Sequence, residues 1–103
     1  MNTKKSDAKK YLEALRGGPL SFGRMIESLR QADQISQTVL AKKMHISRAH
    51  LCDIEKGRRT VTVKRAAQFA KAMGYSINQF VAVAFDDQLR KAGLMGKVHL
   101  DVA

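Results

Sequence analysis

Nine lysines and arginines fall between Gln37 and Lys71, namely Lys42, Lys43, Arg48, Lys56, Arg58, Arg59, Lys64, Arg65 and Lys71, against only two acids, Asp53 and Glu55. This third of the chain therefore carries +7 of a formal net charge of +10. The chemistry open to such a cluster is the holding of a polyanion, either nucleic acid or an anionic membrane surface. A membrane-binding helix backs its basic face with a broad run of large apolar residues, whereas these cations gather around a turn, which favours nucleic acid. Groups for other chemistry are sparse. His45, His50, Cys52 and His99 are the soft ligands, and their spacing matches no zinc pattern. The chain has no glycine-rich phosphate loop and no paired nucleophile and base, so no catalysis, metal or cofactor is expected.

The frame that must position these cations is small. At 103 residues, with 45% hydrophobic residues, no tryptophan and one proline, the chain has the size of a single domain with tails and the composition of an all-α fold. No apolar run approaches the roughly 18 residues of a membrane span, and no signal-peptide core follows the basic start. A cytoplasmic protein without membrane association is expected. Cys52, the single cysteine, cannot form an internal disulfide, in keeping with a reducing compartment.

Periodicity and capping residues predict five helices in one bundle. Ser21 caps a helix to about Ala32 with Phe22, Met25, Ile26 and Leu29 on one face; Ser36 caps a second to about Met44; Ser47 caps a third to about Lys56, stopped by Gly57. Thr62 opens a fourth that ends at Gly74, and Ser76 with Gln79 forms a capping box for a fifth to about Lys91. Residues 1–20 read as a mobile N-terminal arm with a short helix from Asp7 to Arg16, residues 21–92 as the bundle, and residues 93–103 as a tail. In that tail Val98, Leu100 and Val102 alternate with polar residues at the period of a β-strand.

In "SQTVLAKKMHISRAHLCDIEKG", residues 36–57, Leu40, Ala41, Met44, Ile46, Leu51 and Ile54 are apolar while Lys42, Lys43, Ser47, Arg48, His50 and Asp53 are not. Each helix thus buries one side, the small Ala41 permits a close crossing, and Ile46 plugs the turn. This is a helix-turn-helix, whose second helix can enter a DNA major groove about 12 Å wide.

These residues resemble the Xre/Cro-like, phage-repressor-type helix-turn-helix family over about Phe22 to Phe80. The similarity rests on Ser36-Gln37, Leu40-Ala41, the turn at Ile46-Ser47, the "DIEKG" of residues 53–57 and the "FAKAMGYSINQF" of residues 69–80. The chain departs from the pattern at His45, where the family has a glycine, and at Thr60-Val61, where the family has a proline-bearing connection. The resemblance implies that Gln37 contacts a phosphate, and that Ser47, Arg48, Ala49, His50 and Asp53 lie on or beside the base-facing side of the recognition helix. Arg48 would donate two hydrogen bonds to a guanine. It further implies that Lys56, Arg58 and Arg59 meet phosphates, and that Glu55 pairs with Arg30 to fix helix packing. Asp53 is equally suited to accept from a cytosine or to pair with Lys56 or Arg48.

The "FVAVAF" of residues 80–85 is apolar on nearly every side, which predicts two partners for the last helix: the bundle and a second copy of the chain. Phe80, Val83 and Phe85, with Val98, Leu100 and Val102 of the strand, are the expected dimer interface. The function expected is that of an autoregulating repressor, binding a palindromic double-stranded DNA operator as a homodimer. Two alternatives stand beside it: an antitoxin that also binds a toxin protein, and a restriction-modification controller.

Overall fold

A computed structural model describes residues 21–93, whose regular elements are all helices joined by short turns and loops. Helix α1 runs Phe22–Ala32, α2 Gln37–Met44, α3 Arg48–Glu55, α4 Val63–Met73 and α5 Ile77–Lys91. The expected arm over residues 1–20 and the strand through Val98, Leu100 and Val102 lie outside the described residues.

Every helix begins where a short hydroxyl side chain can take up a first-turn backbone donor. Ser21, Ser36, Ser47, Thr62 and Ser76 each accept from the backbone N–H three residues on, at 3.0 to 3.3 Å. The exits use the left-handed region. Gly74 ends α4 at φ 80°, Gly57 follows α3 at φ 80°, and His45 ends α2 at φ 58°, ψ 41°. The histidine therefore adopts the backbone that glycine provides elsewhere in the family, and the tight turn survives the substitution.

The core is aromatic at its centre. Phe22 meets Phe69 and Phe80 edge-on at centroid distances of 5.7 and 6.0 Å, and Tyr75 stacks on Phe80 at 5.6 Å. Tyr75 also donates its hydroxyl to Asp33 at 2.8 Å, tying the junction of α4 and α5 to the end of α1. Burial and that bond push the Tyr75 pKa well above the ordinary tyrosine value. Helix α1 crosses α3 at Gly23, where a Cβ would collide with the backbone carbonyl of Ile54. A bare backbone is required there, because α1 and α3 meet main chain to main chain.

Helix α5 corrects one expectation. It packs along α4 and against α1, and Phe80 and Val83 are each only 1% exposed within this chain's own core. As placed they cannot serve a dimer interface, because the bundle already covers the side of α5 that carries them. Phe85 remains on the surface at 40%, as does Ile77 at 40%, with half-buried Val81 between them one turn from each. The helix thus has one sealed face and a narrower open apolar face. No described helix is long and apolar enough to cross a membrane.

Candidate nucleic-acid interface

Helices α2 and α3 join through His45, Ile46 and Ser47, with Leu40, Ala41, Met44, Leu51 and Ile54 buried between them and the bundle. The opposite side is solvent-facing: Lys42, Lys43, Ser47, Arg48 and Ala49 are exposed, and Gln37, His50, Cys52 and Asp53 are half-buried. The first turn of α3 therefore stands out from the protein. Ser47 uses its oxygen as the helix cap, accepting from the His50 N–H at 3.0 Å, and keeps its own hydroxyl proton for a further acceptor.

A hydrogen-bonded relay runs from the core to this turn. Arg30 grips Glu55 through Nε at 2.7 Å and Nη2 at 3.1 Å, and its Nη1 donates to the Ile35 carbonyl at 2.9 Å. The Glu55 carboxylate is fully buried and the Arg30 side chain 11% exposed, so this bidentate pair fixes α1 to α3. Gln37 continues the relay, its Nε2 donating to Glu55 Oε1 at 2.9 Å and its Oε1 accepting from Arg48 Nη1 at 3.0 Å. Only one amide orientation is possible, since a carboxylate only accepts and a guanidinium only donates. Gln37 thus holds Arg48, an exposed side chain at the start of α3. The second Nε2 proton of Gln37 and the N-terminal backbone donors of α2 suit a phosphate oxygen.

The remaining site residues fall into two groups. Asp53 pairs with Arg58, at 3.0 Å from Nε, rather than with Lys56 or Arg48; both partners are partly solvated, at 38% and 60% exposure, so the pair orients side chains more than it stabilises. The same guanidinium approaches the Cys52 sulfur at 3.9 Å, so Arg58 lies back along α3. On the other side of α3, His50, Arg59, Thr60, Thr62 and Arg65 surround a hollow of about 190 Å³. Burial holds the His50 pKa below its ordinary value, Arg59 and Arg65 lower it further, and Asp53 partly opposes them. His50 is therefore neutral at physiological pH, able to donate one hydrogen bond and accept another. Lys56 and Arg59 are exposed beyond the helix, free to meet backbone phosphates.

Arg65 belongs to this surface and had been counted only as part of the charge. It sits beside the core-facing side of α4, which carries Ala66, Phe69, Ala70 and Met73, and so reaches the hollow next to His50 and Arg59. Among the described residues no group of His, Cys, Asp and Glu side chains is arranged to hold a metal ion.

Residues 26–80 match the family model described as "Helix-turn-helix". The chain belongs to this helix-turn-helix family, in its Xre, phage-repressor type. It is also 29% identical over 84 residues to an immunity repressor protein of Bacillus phage phi105, a match covering 82% of this chain and 58% of that relative. No solved structure matches.

Proposed function

We propose that the chain is a sequence-specific DNA-binding transcriptional regulator, a repressor that lays α3 in the major groove of an operator. The observation that carries this reading is the exposed Arg48 at the start of α3, aimed by Gln37 and anchored through Glu55 and Arg30. A helix of about 10–12 Å diameter fits a groove of about 12 Å, and an arginine held at its first turn meets guanine O6 and N7. Ala49 supplies a methyl for thymine, and Asp53 lies on the same helix, its carboxylate shared with Arg58. Lys56 and Arg59 supply the sequence-independent phosphate contacts. The similarity to a phage immunity repressor favours repression.

The regulator acts as a homodimer on a palindromic site, since one short recognition helix reads only a few base pairs. The open face of α5, with Phe85 and Ile77, is the described surface suited to a second copy. The test is a binding-site selection followed by titration. Arg48→Ala is expected to weaken the selected site by about 1–3 kcal/mol and to relax base choice at one position of each half-site. Arg59→Ala is expected to weaken all duplexes alike and flatten the salt dependence. An unchanged consensus with Arg48→Ala would remove Arg48 from the reading role.

A further inference from the structure

A second concavity lies on the other flank of Arg65. It is a groove of about 580 Å³ between the end of α2 and the middle of α4, lined by Lys43, Met44, His45, Arg65, Gln68, Lys71 and Ala72. Met44 and Ala72 give it an apolar floor, while Lys43, Arg65 and Lys71 surround that floor with positive charge. No acid lines it, and among the described residues none of these three cations forms an ion pair. The volume lies within the roughly 300–1,000 Å³ of small-molecule sites. Phosphate contact alone gives no role to the apolar floor, and an apolar ligand gives none to the uncompensated cations.

We infer that this groove binds a small organic anion, a flat apolar body bearing a carboxylate or phosphate, and that its occupancy weakens DNA binding. The floor takes the apolar body, and Lys43, Arg65 and Lys71 take the charge. The coupling runs through Arg65, which lines both this groove and the hollow beside His50 and Arg59 on the recognition helix. A guanidinium engaged by the ligand is withdrawn from the positive field that α3 and its following loop present to DNA. The coupling is reciprocal, so DNA also weakens the ligand. This second half rests on the DNA-binding reading, whereas the first half does not.

The experiment separates the two. The full chain, labelled with nitrogen-15 and without DNA, is titrated with AMP, 2-naphthoate, adenosine and inorganic phosphate. AMP and 2-naphthoate are expected to move the amide resonances of residues 43–45 and 65–72 saturably, and adenosine and phosphate to bind at least about tenfold more weakly. Lys71→Glu is expected to weaken both anions about tenfold, and Arg24→Glu, the same charge change on exposed α1 surface, to leave them unchanged. Failure of both anions to saturate, or equal losses with the two variants, overturns the site. With a selected duplex present, saturating AMP is expected to weaken DNA binding several-fold in the parent and not in Lys71→Glu. A duplex that itself occupies the groove, with Lys71→Glu weakening DNA as Arg59→Ala does, shows a backbone contact and overturns the small-molecule assignment. Anion binding without any duplex binding would leave the site standing and sink the repressor reading.

Discussion

At the scale of single residues, the interface combines an arginine held in place with a histidine held neutral. His50 titrates below its ordinary value in the free protein, through burial and the charges of Arg59 and Arg65. DNA phosphates brought beside it reverse that balance and raise its pKa, so the complex binds a proton that the free protein does not. Duplex affinity is therefore expected to strengthen as pH falls from about 8 to about 6, and His50→Gln to flatten that dependence. Titrations by fluorescence anisotropy at several pH values check it; a parallel pH profile for the variant would take His50 out of the interface. The sign for folding is opposite. The unfolded chain takes up the proton first, so the contribution of neutral His50 to stability is present above its unfolded pKa and is lost on acidification. Residue types were legible here and their partnerships were not. Arg48 and Asp53 stood out by position, and Arg30 with Glu55 followed from family resemblance. The Gln37 to Arg48 bond joins the starts of two helices and exists only once the turn brings them together. The pairing of Asp53 with Arg58 depended on how the chain leaves α3 at Gly57.

At the scale of elements, the helices were legible nearly to the residue because five capping hydroxyls and the glycines after α3 and α4 punctuate them. What periodicity could not convey is how closely elements approach. Gly23 reads as an ordinary residue in a helical pattern, yet it faces the Ile54 carbonyl across the α1 to α3 crossing. Gly23→Ala is expected to lose more than about 2 kcal/mol in urea denaturation, because the obstacle is backbone and cannot rotate away. His45→Gly works in the other direction. It relieves a left-handed non-glycine residue and is expected to stabilise by about 1 kcal/mol, shifting Tm upward by about 4–8 °C for a domain of this size. A fall in Tm would mean that the His45 side chain contributes more than its backbone costs. Hydrophobicity all round the α5 run does not say which of its residues one bundle covers, and Phe80 and Val83 are covered already.

At the scale of the whole molecule, the proposed homodimer would use the open face of α5 that carries Phe85 and Ile77. Phe85→Glu is expected to lower the dimer fraction in sedimentation and to weaken a palindromic duplex far more than a single half-site, while helical circular dichroism is retained. An unchanged dimer would move the contact away from this face. The relay from Arg30 through Glu55 and Gln37 to Arg48 also bears on genetics. Arg48 and the core are parts of one bonded chain, so the mutational target for loss of DNA binding is expected to extend beyond the exposed face of α3. A selection for binding-deficient alleles should return position 30, deep in α1, alongside position 48. An Arg30→Met chain, left with a buried and uncompensated Glu55, is expected to lose about 3–5 kcal/mol of stability and to give a temperature-sensitive phenotype. Such alleles would map in the first helix and read as regulatory lesions, although that arginine is buried in the core against Glu55.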